Sequence, residues 1–423
     1  FLNKESGRGV VSCIASKLRL LYLCILMNRD LNKIKIIEVT EYKTKRFSKD
    51  EIPKSIGIEL YQKYSRQIDI EFPNYKTENK WQLKAKGWVG YIPLNNQFAI
   101  KINPKVSIEN IFLMLEYAYK FKSYRFTQGL MNCDSLRGFY NNLAYRVAQL
   151  VLDRVRKGLY RIYIPKTQYL NYVRGRLDIS ETIKKPWNPR LKCHYQEQTA
   201  DIEDNQIILW TLFIISRNSL CSEEVSSIIR KAYHRLQSLV TLKPFNSEDC
   251  FKFNYNRLNK DYQLLHYLCR FFLENTAPAY HSGNQNTLPF LVNMAKIYEI
   301  FVAEWLKINL PANLIVQSQK RVNIANNLNF QIDLVLYDIS TNKHRYILDT
   351  KYKNPDSPSS DDVAQVVAYA VSQKCSEVIL IYPTILNHPL DKFVGDIRVR
   401  SLTFSLDKNL DKAGNSLLKQ RLS

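Results

Sequence analysis

The feature that most constrains this chain is a pair of strand-like runs, each carrying one aspartate, on either side of a short polar segment. Residues 330–337 (FQIDLVLY) and 345–352 (RYILDTKY) are rich in β-branched, aromatic and aliphatic side chains. This pattern predicts a β-hairpin. With its turn centred near Thr341, Asp333 lies opposite Asp349, roughly 5 Å away on the same face of the sheet. Two facing carboxylates repel each other, so the hairpin needs a group that compensates their charge.

A divalent cation is the usual group that compensates two facing carboxylates. Mg²⁺ prefers oxygen ligands and keeps several of its waters. Because side chains alternate along a strand, Lys351 shares a face with Asp349, while Thr350 and Tyr352 are predicted to turn away. Two carboxylates and a lysine suit hydrolysis of a phosphodiester, since a metal activates water and a lysine orients it or neutralises developing charge. The competing interpretation is an ordinary solvated strand face, which is the more frequent origin of an isolated Asp-x-Lys.

The residues after the hairpin predict a helix and then a buried strand. Residues 357–362 are polar and end in helix N-cap chemistry, and apolar residues at helical spacing follow them. Gln365 and Tyr369 are four positions apart on this helix and therefore share a face. Residues 377–383 (EVILIYP) have the apolar character of a strand buried on both faces. The predicted order is strand, strand, helix, strand.

These residues together resemble the core of the PD-(D/E)xK nucleases. The resemblance rests on Asp333, on residues 349–351 (DTK) and on residues 365–369 (QVVAY). The last of these matches the branch with a Gln-x-x-x-Tyr helix, as in RecB-type nucleases. One position departs from the motif, because Ile332 stands where the motif has proline.

The resemblance implies a role for each of these side chains. Asp333 and Asp349 would ligate Mg²⁺ or Mn²⁺. Lys351 would act on the attacking water and on the charge of the transition state. Gln365 and Tyr369 would orient the site or contact the DNA backbone.

A helix predicted just upstream of the hairpin supplies a further candidate. Glu299 matches the acidic residue that the first helix of this nuclease core often gives to the metal, so it is a third candidate ligand. It lies off the apolar stripe of its helix, and an ordinary solvated glutamate fits the pattern equally well. The helix is predicted over residues 290–309, with an apolar stripe formed by Met294, Ile297, Phe301 and Trp305.

Composition narrows the classes of partner and compartment. The chain has 423 residues, with 61 Lys and Arg against 39 Asp and Glu and a formal charge of +22, which favours a polyanionic partner. Its eight cysteines form no Cys-x-x-Cys pair, so neither a zinc site nor a disulfide framework is indicated. The apolar run at residues 20–27 is too short to span a bilayer. These features predict a cytoplasmic protein with no membrane partner.

The chain is predicted to be an α+β protein in three parts behind a leader. Residues 1–26 precede Met27 and are interpreted as a leader of doubtful status, outside the fold. Residues 27–106 predict a β-rich, partner-docking domain, and residues 107–285 a mainly helical middle domain. Residues 286–423 predict a PD-(D/E)xK, restriction-endonuclease-like domain with a mixed sheet.

Two local features of the sequence support these divisions. Asn95 and Asn96 separate two alternating runs and predict a hairpin in the β-rich domain. Ser107 begins the helical part as an N-cap.

One segment interrupts the helical part. In residues 172–178 (YVRGRLD), Arg174 and Arg176 flank a glycine and either grip phosphate or fix a bend through salt bridges. The acidic segment that contains Asp201 and Asn205 is a candidate structural partner for these arginines.

Several short motifs extend the resemblance beyond the nuclease core. Residues 37–42 (IEVTEY), 103–106 (NPKV) and 174–178 (RGRLD), together with Asp201 and Asn205, are similar in order and spacing to the McrC family. McrC proteins are the nuclease subunits of McrBC modification-dependent restriction systems. The similarity runs from about residue 34 to residue 390.

The McrC resemblance implies a Mg²⁺-dependent endonuclease that cuts double-stranded, base-modified DNA. It also implies that the amino-terminal domain docks on a hexameric AAA+ GTPase motor of the McrB type and stimulates it. The sequence contains no Walker A motif, so a motor would be a separate polypeptide. Two alternatives stay open: a stand-alone RecB-like nuclease, and a catalytically idle activator of an AAA+ NTPase.

Overall fold

A computed structural model gives the fold of most of the chain. The predicted leader and Asn96 lie outside the described residues. The chain divides into two compact units, and the first combines the segment that ends at Lys105 with Pro289–Val292. The structure describes residues 34–95, 97–119, 135–276, 288–325, 328–341, 343–353, 355–406 and 409–420.

The first unit contains two sheets and the helix α1 (Lys54–Tyr64). One sheet has the strand order β1-β6-β5-β10 and the other β2-β4-β3. The antiparallel pairing of β5 with β6 confirms the predicted hairpin. Helix α1 was not predicted, although Ile56, Leu60 and Tyr64 stand at helical spacing and are buried. Numbered along the whole chain, the strands are β1 Lys35–Thr40, β2 Thr44–Phe47, β3 Ile68–Glu71, β4 Trp81–Ala85, β5 Trp88–Pro93, β6 Phe98–Asn103 and β10 Phe290–Asn293.

Strand β10 comes from a distant part of the sequence and completes the first sheet. Its Leu291 is buried in the core of the first unit. The contact with β5 is so close that a Cβ at Gly90 would lie 2.0 Å from the carbonyl oxygen of Phe290. Gly90 also has a φ of +140°. This position therefore requires glycine.

The second unit contains the remaining helices and two further sheets. The predicted N-cap at Ser107 is confirmed, because its side chain accepts a hydrogen bond from the backbone of Asn110. In the described part of the chain, no helix is long and apolar enough to cross a membrane. The helices are α2 Ile108–Ala118, α3 Leu136–Lys157, α4 Ile179–Lys184, α5 Glu203–Ser216, α6 Glu223–Gln237, α7 Tyr262–Thr276, α8 Met294–Asn309, α9 Ser360–Gln373 and α10 Leu410–Lys419.

The predicted helical middle also contains a three-stranded antiparallel sheet. Strands β7 (Ile162–Leu170), β9 (Leu191–Thr199) and β8 (Arg176–Leu177) lie in that order. The sequence predicts only an interruption of the helices at 172–178. A signal for the sheet is nevertheless present in residues 162–170 (IYIPKTQYL), whose β-branched and aromatic content is typical of strands.

The largest sheet of the second unit is mixed and has six strands. Its order is β11-β12-β13-β14-β16-β15, with β13, β14 and β16 parallel to one another. Along the chain, β12, β13, α9 and β14 follow one another, which confirms the predicted order of strand, strand, helix, strand. The strands are β11 Leu314–Ala325, β12 Leu328–Asp338, β13 Lys343–Thr350, β14 Glu377–Tyr382, β15 Asp391–Val394 and β16 Ile397–Thr403.

Helix α8 is shorter than the predicted helix 290–309, because residues 290–293 form strand β10. The Asn293 side chain accepts a hydrogen bond from the backbone of Lys296 and caps the helix at Met294. On the buried side of α8, the indole N–H of Trp305 donates a hydrogen bond to the Asp411 carboxylate of α10 at 3.3 Å. The hydroxyl of Tyr117 on α2 donates to the same carboxylate at 2.9 Å. These contacts fix α8 within the unit. The separate status of the predicted domains 107–285 and 286–423 stays a prediction.

Candidate active site

The two predicted aspartates lie side by side where β12 meets β13. The antiparallel register pairs Leu334 with Leu348, so Asp333 and Asp349 are the next residues along the two strands. The backbone N–H and the hydroxyl of Thr350 both donate to Oδ2 of Asp333 at 2.9 Å. The prediction that Thr350 turns away from the site is therefore wrong. Thr350 is the last residue of β13, and at this strand end both its backbone N–H and its hydroxyl point to the Asp333 carboxylate.

Asp349 is the more deeply buried of the two carboxylates. The Asp349 residue is only 2% exposed to solvent. Burial and the negative charge of Asp333 raise the pKa of Asp349 to about 7. Burial also raises the pKa of Asp333, although the hydrogen bonds from Thr350 act in the opposite direction. The protein thus holds two carboxylates where their ionised forms are unfavourable.

Helix α8 brings a third carboxylate to the same place. Burial and the charges of Asp333 and Asp349 raise the pKa of Glu299 to about 8. The amide of Gln319 on β11 donates a hydrogen bond to Oε1 of Glu299. Glu299 is therefore not the ordinary solvated glutamate that its position off the apolar stripe allowed. Its partners come from strands that the helical pattern could not reveal.

Lys351 lies at the centre of the polar cluster. Its Nζ is 2.7 Å from Oδ2 of Asp349 and donates to Oε1 of Gln365 at 2.8 Å. Burial acts to lower the pKa of Lys351, but the carboxylates of Asp349 and Asp362 outweigh burial and raise it above the usual range. The ammonium group therefore stays charged inside the site.

Helix α9 contributes the predicted pair Gln365 and Tyr369. The amide nitrogen of Gln365 donates to the Tyr369 hydroxyl at 2.7 Å, while its oxygen accepts from Lys351. The Tyr369 ring is buried and meets the ring of Phe330 edge-on at 5.3 Å. The predicted shared helix face is confirmed, and it faces Lys351, which directly follows β13, and Phe330 of β12.

Asp362 is a site residue that the sequence analysis missed. It is only 5% exposed, and its carboxylate accepts hydrogen bonds from Lys353 at 2.9 and 3.1 Å. Its Oδ1 is also 3.6 Å from Nζ of Lys351. The available signal was spacing, because residues 362, 365 and 369 share one helix face. The N-cap pattern alone identifies Asp362 only as part of the helix start.

The donor chemistry of the cluster fits a hard divalent cation. Across the described ranges, no three His, Cys, Asp or Glu side chains lie close enough to ligate one ion as they stand. Glu299, Asp333 and Asp349 nevertheless form a set of oxygen donors with raised pKa values, and for Glu299 and Asp349 the charge of a neighbouring carboxylate contributes. A cation of the Mg²⁺ type would relieve this repulsion.

Of the two alternatives for the arginines of residues 172–178, the contacts of Arg174 agree with the bend fixed by salt bridges. Arg174 lies 3.6 Å from Glu197 and its guanidinium stacks at 4.1 Å over Tyr195, both on β9. Gly175 has a φ of +68°, and a Cβ there would lie 2.5 Å from the carbonyl oxygen of His194. The bend is thus fixed by packing against β9.

The acidic segment does not pair with these arginines. Asp201 accepts hydrogen bonds from Gln206 at 2.8 Å and from the Thr241 hydroxyl at 2.6 Å. Asn205 donates to the carbonyl oxygens of Tyr160 and Ala200. The suggested partnership is wrong, because Asp201 and Asn205 instead brace the start of helix α5.

Comparisons with known proteins agree with this architecture. The model of a family described as "McrBC 5-methylcytosine restriction system component" matches residues 83–383. Over 209 residues the chain is 22% identical to the type IV methyl-directed restriction enzyme EcoKMcrBC of Escherichia coli (strain K12), a match that covers 48% of this chain. The chain spans 60% of the length of that relative.

A solved structure has a similar fold over nearly all of its length. It is McrC bound to McrB AAA+ hexamers from Thermococcus gammatolerans, which the chain matches with a TM-score of 0.56 and 18% identity. The match covers 91% of this chain and 99% of that one. At this level of identity the likeness concerns the fold.

Proposed function

Because the chain belongs to the family of McrBC 5-methylcytosine restriction system components, we propose that it is the DNA-cleaving subunit of a McrBC-like restriction system. In this proposal, residues 286–423 form a PD-(D/E)xK nuclease domain that hydrolyses double-stranded DNA with Mg²⁺ or Mn²⁺. The observation that carries the proposal is the grouping of three buried or half-buried carboxylates and Lys351 where β13 ends beside β12.

The carboxylates of Asp333, Asp349 and Glu299 are the proposed metal-binding groups. A bound Mg²⁺ would supply an activated water and would take up charge on the phosphoryl oxygens. The donors of Thr350 hold the Asp333 carboxylate in one orientation, so this group needs little rearrangement during the reaction.

Lys351 is the proposed group that acts on the attacking water and on the phosphoryl charge. Its raised pKa keeps it protonated near neutral pH, which suits stabilisation of negative charge rather than proton abstraction. Asp349, Gln365 and Asp362 surround the ammonium and restrict its position. Holding a catalytic group in a fixed position lowers the entropic part of the activation barrier.

Gln365 and Tyr369 are proposed to position this lysine. The amide of Gln365 links the lysine to the Tyr369 hydroxyl in one chain of hydrogen bonds. Gln365 is exposed, so its side chain can also reach a DNA phosphate.

A separate AAA+ GTPase is the proposed partner, and methylated DNA is the proposed substrate. Support comes from the relatives: one is a methyl-directed restriction enzyme, and the other is a McrC bound to McrB AAA+ hexamers. The excess of 61 Lys and Arg over 39 Asp and Glu suits a polyanionic substrate. The first unit, with residues 34–105 and Pro289–Val292, is the proposed docking part.

Reconstitution with the motor tests this proposal. The full chain is mixed with an AAA+ GTPase of the McrB type, GTP and Mg²⁺. Cleavage of a plasmid that contains 5-methylcytosine is then compared with cleavage of an unmodified plasmid. We expect cutting of the methylated plasmid only with both proteins, and none in EDTA. Metal-dependent cutting by the chain alone would favour the stand-alone nuclease. Stimulated GTP hydrolysis without any cutting would favour the idle activator.

A further inference from the structure

We propose that Gln319 is a positioning residue that holds Glu299 in place as the third carboxylate of the metal site. This inference rests on the proposed metal-dependent function. Its starting point is an unusual backbone conformation within strand β11, together with the hydrogen bond that Gln319 makes. Neither feature belongs to the Asp, Asp-x-Lys and Gln-x-x-x-Tyr motifs.

The backbone at Gln319 adopts a left-handed conformation in the middle of a strand. Its φ is +54°. The other described non-glycine residues with positive φ are Tyr42, Glu78, Asn79 and Lys374, and each lies in a turn or at a helix end. Such a conformation is unfavourable for a residue with a side chain and persists only where the surrounding structure enforces it. A strained residue inside a strand therefore needs an explanation.

The position of Gln319 relative to the carboxylates gives that explanation. Its neighbours Ser318 and Lys320 pair with Leu334 and Ile332 on β12, so Gln319 lies across from Asp333. The pairing register between β11 and β12 is the same on both sides of Gln319.

The Gln319 side chain connects two strands with helix α8. Its amide nitrogen donates to Oε1 of Glu299, and its amide oxygen accepts from the amide of Gln331 on β12. Gln331 thus fixes which end of the Gln319 amide points to the carboxylate. A carboxylate with one oxygen bound in this way loses rotational freedom before any ligand arrives.

The length of the Glu299 side chain explains why a fixed partner matters. Without one, this flexible side chain would sample several orientations, and fixing it before a cation binds lowers the entropic cost of binding. The lysine of α8 nearest in sequence, Lys296, is paired with Glu274. The neutral amide of Gln319 holds Glu299 without adding a charge that would compete with a cation.

The test compares glycine substitutions at two positions of the same strand. Gln319→Gly removes the amide and also removes the steric cost of positive φ. Gln317→Gly is the matched control, because Gln317 is exposed, lies two residues away on the same strand, and its side chain accepts a hydrogen bond from the Tyr337 hydroxyl. Mn²⁺ affinity is measured by calorimetry on the full chain without DNA, and Tm is measured without metal.

We expect Gln319→Gly to weaken Mn²⁺ binding by about 10- to 100-fold, the range for lost outer-shell partners of a metal site. Its metal-free Tm should equal or exceed that of the wild type. Gln317→Gly should lower Tm and keep the wild-type affinity. Wild-type affinity in Gln319→Gly, or a lower Tm that accounts for its loss of binding, would overturn the inference.

A double substitution separates this inference from the proposed function. In a Glu299→Ala background, Gln319→Gly should cause no further loss of Mn²⁺ affinity, because its effect passes through Glu299. A further loss would contradict a role through Glu299. If the wild-type chain bound no Mn²⁺ at all, the proposed metal-dependent function would fail. If the wild type bound and Gln319→Gly bound equally well, only the positioning role would fail.

Discussion

Lys351 donates from Nζ to Oε1 of Gln365 at 2.8 Å and so joins the end of strand β13 to helix α9. The same ammonium lies 2.7 Å from Oδ2 of Asp349. The positive charge of Lys351 thus lies between Asp349, a proposed metal ligand, and helix α9. This arrangement makes the identity of the cation-bearing side chain testable.

Lys351→Arg keeps the charge but spreads it over a larger planar group. The guanidinium cannot occupy the same point between Asp349 and Gln365, so we expect cleavage to fall by about 10²-fold or more. Cleavage of methylated plasmid with the motor present is the measurement, and circular dichroism checks folding. A near-normal rate would mean that Lys351 supplies only a diffuse positive field.

Gln365→Ala removes the amide that holds Lys351 and Tyr369 together. We expect a larger loss of cleavage than in Tyr369→Phe, because the phenylalanine variant removes only the outer hydroxyl and keeps the Lys351 contact. Single-turnover rates for both variants make the comparison. Equal losses would place the critical contact at the hydroxyl instead.

The sequence predicted the site to the extent that its residues are close along the chain. The hairpin set the register of Asp333 against Asp349, and the helix period placed Gln365 and Tyr369 on one face. These relations depend on local geometry alone, which periodicity encodes.

What the sequence did not predict depends on contacts between distant segments. The bond between Gln319 and Glu299 joins a helix and a strand. The pairing of β10 with β5 depends on Gly90 meeting Phe290, 200 residues further along the chain. Periodicity carries no information about such contacts, because it describes one element at a time.

The raised pKa values of the carboxylates predict a pH dependence of stability. Burial and neighbouring carboxylates raise the pKa of Glu299 from 4.5 to about 8 and the pKa of Asp349 from 3.8 to about 7 in the folded protein. Between about pH 4 and pH 8 the folded state therefore holds more protons, and this contribution to stability is lost as pH rises. We expect the metal-free Tm of Glu299→Gln to fall less than that of the wild type across this window.

The control for this experiment is added Mg²⁺, which should raise the wild-type Tm most at pH 8, where the carboxylates are ionised. Parallel Tm curves for Glu299→Gln and the wild type would show that Glu299 does not titrate in this range.

Gly90→Ala tests the packing of the first unit. The added Cβ would meet the carbonyl oxygen of Phe290 at a backbone with a φ of +140°, so β10 could not stay in place. We expect a loss of about 1–3 kcal/mol in the free energy of unfolding, the range for overpacking. Calorimetry measures it, and Gly158→Ala, where a Cβ would meet no atom within 4 Å, is the control for glycine with positive φ. Equal losses in both would point to backbone strain rather than to the contact.

The carboxylates where β13 ends beside β12 are the proposed centre of DNA cleavage, and Asp349→Asn tests this role most directly. The variant keeps the size of the side chain but removes a proposed ligand. Asp338→Asn is the matched control, because Asp338 is the last residue of β12 and its side chain accepts a hydrogen bond from the backbone of Ser340 in the turn. Plasmid cleavage and GTP turnover are measured together with the motor. We predict that Asp349→Asn loses cleavage on the order of 10³-fold or more while GTP turnover stays stimulated, and that Asp338→Asn keeps both. Cleavage by Asp349→Asn at the wild-type rate would contradict the account.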